Sequence, residues 1–237
     1  MDADGWLEKG LDLESIGRYQ ESLSAFENVL SLNPICATAW LHKGLVLYEL
    51  SEFLESINAC DNVLSIDPTI IDAWNKKGLA LIMLGKYQEA LDIFKQALFH
   101  DPNSFILWFN KGIALDRLNH PRLSFNAFEK ALSLDPSSAE AWYWKGIALY
   151  KFHRYQEALN AFEKALSLNQ TIAEAWYCKG IVLETLSRND DSVYAFENAL
   201  SLDPTYAELL YEKGFSVNSL GKFKEFWTFL RKRINVK

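Results

Sequence analysis

Glu140–Tyr150 reads EAWYWKGIALY, and 34 residues later Glu174–Glu184 reads EAWYCKGIVLE. Both stretches are helical in composition and apolar on nearly every side. A surface helix hides one stripe and wets the other, so these stretches need cover on two faces. The interval between the copies shows where the first cover comes from. With Ala139 as position 1, glycine returns at position 8 in every unit: Gly10, Gly44, Gly78, Gly112, Gly146, Gly180 and Gly214. Tryptophan holds position 4 as Trp6, Trp40, Trp74, Trp108, Trp142 and Trp176, then gives way to Leu210. The spacing is 34 each time without insertion, and a fixed period of that size marks a repeat architecture.

Each unit holds two helical patterns. The second is amphipathic: Tyr155, Ala158, Leu159, Phe162, Ala165 and Leu166 recur at helical spacing, while Gln156, Glu157, Asn160, Glu163 and Lys164 take the opposite face. Between the helices, position 15 is Gly17, Ser51, Gly85, Asn119, His153, Ser187 and Gly221. Three glycines and an asparagine there suit a left-handed residue that closes the first helix. After the second helix come Asn33-Pro34, Asp67-Pro68, Asp101-Pro102, Asp135-Pro136 and Asp203-Pro204, and proline cannot continue a helix.

Trp at position 4, Gly at 8, Tyr or Phe at 17, a small residue at 20, Phe at 24, a small residue at 27 and Pro at 32 together resemble the tetratricopeptide repeat. The resemblance covers residues 3–237 and implies an all-α fold, a right-handed α-solenoid of seven helix-turn-helix repeats. One domain is expected over 3–237, with repeats at 3–36, 37–70, 71–104, 105–138, 139–172, 173–206 and 207–237. The pattern also has a direct physical reading. Gly at 8 and Ala or Ser at 20 (Ala90, Ala158, Ser22, Ser124) let two helices approach closely, while Trp142 and Phe162 fill the space beside the contact. One hairpin cannot bury both faces alone, and stacked hairpins share a core. Three departures point to locally weaker packing: Cys60 for the aromatic at position 24, Gln170 for proline at 32, and Asn189 for tyrosine at 17.

Bulk composition narrows the function. At 49% hydrophobic and 14% aromatic the chain can build a continuous core. A net charge of −7 argues against nucleic acid or an anionic membrane as main partner. Cys36, Cys60 and Cys178 lack paired spacing, so reduced cytosolic thiols are expected, without a disulfide framework or a metal. The opening MDADGWLEKG has no apolar core of a signal peptide, and no run approaches the roughly 20 apolar residues of a membrane span. A soluble, cytoplasmic protein is expected. The ends read as caps: Asp12 replaces the small residue at position 10, and Arg233 replaces the small residue at 27. The array is therefore expected to be complete. Trp227 and Phe229 in the last unit leave end-to-end self-association open.

Projected at about 100° per residue, positions 3, 4, 7, 8, 10 and 11 of the first helix gather on the packed side. Positions 2, 5, 9 and 12 gather opposite. The family resemblance implies that this opposite side lines a concave groove that holds peptides. Position 5 reads Leu7, Leu41, Asn75, Phe109, Tyr143, Tyr177 and Tyr211; position 9 reads Leu11, Leu45, Leu79, Ile113, Ile147, Ile181 and Phe215. Tyr48, Ile82 and Tyr150 at position 12 and Trp144 at position 6 join them. The expected peptide-binding set is Asn75, Leu79, Ile82, Phe109, Ile113, Tyr143, Trp144, Ile147, Tyr150, Tyr177, Ile181, Tyr211 and Phe215. Position 9 has two readings, groove wall or packing between neighbouring repeats. Tyrosine at position 5 favours a wall, because it offers a flat apolar body with a polar tip. The family's carboxylate clamp uses Lys at 5 and Asn at 9, and this chain has neither pattern.

Lysine at position 7 (Lys9, Lys43, Lys77, Lys111, Lys145, Lys179, Lys213) falls on the packed side, where stems pack and ammonium groups reach an acid or carbonyl at a unit boundary. Asp4, Asp72, Glu140, Glu174 and Glu208 at position 2 suit the positive end of a helix dipole. The C-terminal RKRINVK reads as a solvated end. His42, His100, His120 and His153 take different unit positions without metal spacing, and no catalytic constellation or cofactor is expected. The reading is a non-enzymatic adaptor that captures an apolar peptide or helix of a partner protein. The alternatives are a scaffold that assembles through its C-terminal repeat and a regulatory subunit of an enzyme complex.

Overall fold

The structure, a computed structural model, describes residues 1–206. Leu210, Tyr211, Lys213, Gly214, Phe215, Gly221, Trp227, Phe229, Arg233 and the RKRINVK end lie outside the described residues. Among those described there are twelve helices and no strand: α1 (Ala3–Ser15), α2 (Tyr19–Leu32), α3 (Ala37–Glu49), α4 (Phe53–Ile66), α5 (Ile71–Met83), α6 (Tyr87–His100), α7 (Phe105–Arg117), α8 (Pro121–Leu134), α9 (Ala139–Lys151), α10 (Tyr155–Leu168), α11 (Ala173–Thr185) and α12 (Asn189–Leu202). None is long and apolar enough to cross a membrane. The chain falls into two compact units, one over Met1–His120 and one that begins at Pro121. The first holds α1–α7 and the second α8–α12. In both, odd-numbered helices are the first and even-numbered helices the second of a repeat.

Position 15 is left-handed in every described repeat: Gly17, Ser51, Gly85, Asn119, His153 and Ser187 all have φ between 58° and 74°. The next N–H then reaches back to position 11, as in Arg18 N to Leu13 O at 2.8 Å and Arg154 N to Leu149 O at 2.9 Å. This closure satisfies the last carbonyls of the first helix and turns the chain into the second.

Position 8 shows why the pattern demands glycine. A Cβ on Gly10, Gly78, Gly146 or Gly180 would lie 2.4–2.6 Å from the ring of Phe26, Phe94, Phe162 or Phe196. Those rings are fully buried. Glycine therefore makes room for the position-24 ring as well as for the second helix. Ser22 Oγ and Ser56 Oγ donate to the carbonyls of Gly10 and Gly44 at 2.8 and 2.7 Å, which ties the two helices at the same point.

The joins between hairpins use two bonds, the first of which the one-dimensional pattern does not reveal. Each position-4 indole donates to the carbonyl of position 32 in the preceding repeat: Trp40 to Pro34, Trp74 to Pro68 and Trp108 to Pro102 at 2.8 Å, Trp142 to Pro136 at 3.0 Å. Trp176 makes the same bond to Gln170 at 2.9 Å. The weaker packing expected at Gln170 is therefore corrected for this contact, since the bond needs a carbonyl and not a proline ring. The second bond is the position-7 lysine to the acid 16 residues earlier: Lys43–Glu27 at 3.1 Å, Lys77–Asp61 at 2.5 Å, Lys145–Glu129 at 2.8 Å and Lys179–Glu163 at 3.2 Å. Each acid lies on the preceding second helix, as expected from stems that pack and heads that reach a boundary.

Candidate functional site

In the first unit, α1 touches α3, α3 touches α5, and α5 touches α7. These first helices form one layer, and positions 5, 9 and 12 share one face of each helix. Leu7, Leu11, Leu41, Leu45, Asn75, Leu79, Ile82 and Ile113 are all half-buried. Leu7 and Leu11 pack against the core of the first hairpin. Phe109 departs from the others: only 6% exposed, it is buried and stacks on Phe105 at 5.8 Å. Asn75 is also engaged, because its side-chain carbonyl accepts from the amide of buried Asn110 at 2.7 Å. Lys76 covers the Tyr48 ring at 4.1 Å and stands 3.8 Å from Glu49. The wall of this unit is interrupted by its own polar groups.

The second unit differs. Here α9 and α11 touch, and their stripes are Glu140–Tyr143–Ile147–Tyr150 and Glu174–Tyr177–Ile181–Glu184, at the spacing that places residues on one helix face. Tyr143, Ile147, Tyr150, Tyr177 and Ile181 are half-buried. None of them is sealed. Ile147, Tyr143 and Tyr150 rest against the core of the α9–α10 hairpin and its neighbour, so position 9 both packs and shows an edge. Trp144 belongs more to the seam: its indole stacks on buried Phe128 at 6.3 Å, as His42 stacks on Phe26 at 5.7 Å in the first unit.

Tyr206 joins this cluster, and sequence reasoning passed over it. It stands just before position 1 of the last repeat, where the earlier repeats have Cys36, Ile70, Ser104, Ser138 and Ile172. An aromatic at that place is the signal that could have found it. Its ring lies 4.8 Å from Tyr177, and Tyr177 tilts over Phe196 at 5.8 Å. Tyr143 meets Trp144 edge-on at 5.5 Å and Phe162 at 6.0 Å. Burial holds the Tyr143 phenol far above its usual range, with Cys178, Glu174 and Tyr206 adding to the effect. Burial also pushes Tyr206 up to about 12, again reinforced by Glu174, Cys178, Asp203 and Tyr177. Each of these influences disfavours negative charge on the phenols.

A cleft of about 550 Å³ lies elsewhere in this unit, among Phe125, Glu129, Trp142, Lys145, Arg154 and Glu157. Lys145 pairs there with Glu129 at 2.8 Å and Arg154 with Glu157 at 2.5 Å, and Lys164 also lines the cleft.

The fold and these repeats define a helical-repeat protein, and comparison with known proteins places it. Models described as Tetratricopeptide repeat match residues 7–69, 71–104, 109–166 and 145–207, so the chain belongs to the tetratricopeptide repeat family. No curated protein matches it significantly. Solved structures of like fold include YrrB, described as a TPR protein with an unusual peptide-binding site. It shares 22% identity at a TM-score of 0.65 over 81% of this chain and 98% of that one. PilF of Pseudomonas aeruginosa shares 19% identity at a TM-score of 0.75, over 89% and 97% of the two chains. MamA of Desulfovibrio magneticus RS-1 shares 20% at 0.66, over 71% and 96%. Membership of this family supports a protein-interaction scaffold in general terms.

Proposed function

We propose that this chain is a non-enzymatic cytoplasmic adaptor that holds an apolar peptide or helix of a partner protein on the first-helix wall of its second unit. The observation that carries this reading is the set Tyr143, Ile147, Tyr150, Tyr177 and Ile181, half-buried together on α9 and α11. Tyrosines in such places present flat apolar faces along with a polar hydroxyl. Complete burial of a large apolar side chain is worth about 1.5–3 kcal/mol. Three or four anchors of the partner would reach roughly micromolar affinity after ordering costs. Capture of a C-terminal carboxylate by a lysine clamp does not fit, because positions 5 and 9 of these repeats hold Tyr and Ile. YrrB, of like fold, is described as having a peptide-binding site, which is in keeping with this role.

The test is affinity capture from a native lysate with the wild type and with Tyr143→Glu/Ile147→Glu/Ile181→Glu. Far-UV circular dichroism first establishes that the variant is folded. Partners expected on the wild type should be missing from the variant. Identical partner lists from two folded proteins overturn the reading.

A further inference from the structure

At four joins the position-7 lysine is held by a carboxylate: Lys43, Lys77, Lys145 and Lys179 stand 2.5–3.2 Å from Glu27, Asp61, Glu129 and Glu163. The join between α6 and α7 breaks the rule. Lys95 takes the repeat position of those acids, and its ammonium group turns to Asp92 on its own helix, 2.9 Å away. Lys111 is thereby left without a carboxylate among the described residues, and lies over the Trp108 ring at 4.2 Å. The ring is not what sets it apart, since Lys43, Lys145 and Lys179 lie 5.5, 4.9 and 5.4 Å over Trp40, Trp142 and Trp176. Nor is exposure, because all five lysines are half-buried. The missing acid is the difference.

That difference bears on the chemistry of the nitrogen. Only the uncharged amine has an electron pair to give to an electrophile, and desolvation or a neighbouring cation activates it. A carboxylate in contact does the opposite and keeps the proton on the ammonium group. At Lys111 both activating influences act: burial first, and the charge of Lys95 second, draw its pKa below the ordinary lysine value.

We propose that Lys111 is an acylation site, which reacts with acyl phosphates ahead of the four lysines that have an acid partner. Its Nζ adds to the carbonyl carbon, the bond from that carbon to the phosphate oxygen breaks, and phosphate leaves with the electron pair. The proton lost from nitrogen passes to water. The product is an uncharged amide beside Trp108. Its formation breaks no ion pair and removes one of two like charges at this join, whereas the same reaction at Lys43 or Lys145 takes the partner from a carboxylate. This chemistry is separate from whatever the first-helix wall holds.

Acetyl phosphate is the probe. The intact chain and Lys95→Glu, its fold checked by circular dichroism, are treated in buffer and again in urea that unfolds them. The remaining amines are then labelled to completion with deuterated acetic anhydride, and mass spectrometry of the peptides gives the fraction acetylated at each lysine. In buffer Lys111 should react several-fold faster than Lys43, Lys77, Lys145 and Lys179. Lys95→Glu, which puts an acid at the repeat position found at the other joins, should bring Lys111 down to their rate. In urea the five should react alike. A Lys111 no faster than the paired lysines overturns the proposal, as does one that stays equally fast in Lys95→Glu or keeps its lead in urea.

Discussion

Position 8 of the second repeat meets a different neighbour from the ring found at Gly10, Gly78, Gly146 and Gly180. Opposite Gly44 stands Cys60, and a Cβ there would meet its sulfur at 3.2 Å, compared with 2.6 Å to the Phe162 ring at Gly146. Cys60 is itself fully buried, and burial pushes its thiol up to about 12, so the smaller side chain closes the core without leaving it wet. A methyl group at Gly146 must displace a ring locked in the core, an overpacking that costs about 1–3 kcal/mol. At Gly44 the sulfur needs to give only a few tenths of an ångström, and alanine favours a helix over glycine by about 1 kcal/mol. Urea unfolding followed by circular dichroism should therefore find Gly44→Ala near neutral or stabilising, and Gly146→Ala the less stable of the two by at least about 1 kcal/mol. Equal losses would mean that the Phe162 ring moves aside at little cost.

At the scale of the element, the seam between hairpins is written by a lysine and an acid 16 residues apart, and one seam breaks the rule. Lys111 faces Lys95, which turns instead to Asp92 at 2.9 Å. Lys111 settles on the Trp108 ring at 4.2 Å, and burial, with repulsion from Lys95 second, draws its pKa below the ordinary lysine value. Lys95→Glu should restore the pair found at the other joins. The expected gain is a few tenths to about 1 kcal/mol, as for partly exposed ion pairs, with a rise in the Lys111 pKa measurable by NMR of its side chain. An unchanged Lys111 titration would sink the account. The hairpins themselves were legible because their signals are local: glycine and tryptophan at fixed offsets, a helical apolar stripe, and turn residues at position 15. The seams were legible only in part. The lysine's reach to an acid follows from its place on the packed side, whereas the indole bond to position 32 depends on how one hairpin lands on the next. For the same reason sequence reading placed Phe109 on an open wall: its helix face is correct, but it is buried and stacks on Phe105.

In the whole molecule, what remained hidden was the difference between the two first-helix walls. Their apolar spacing is alike, yet Lys76, Asn75 and Asn110 interrupt one, while Tyr206, which precedes the last repeat, joins the other. Burial in such an array depends on the nearest neighbour. In the second unit α9 touches α8, α10 and α11, and α11 touches α12, and stability in a repeat protein is approximately a sum of such terms. Damage at one hairpin should therefore fade with distance along the chain. Gly146→Ala strikes the α9–α10 core at Phe162. Native-state amide hydrogen exchange should show the largest loss of protection in α9 and α10, and a smaller loss in α8 and α11. Protection in α1–α4 should stay within error of the wild type, because local opening there does not pass through the altered hairpin. If protection instead drops by one common factor from α1 to α12, the described repeats open as a single cooperative block, and the nearest-neighbour description is wrong for this chain.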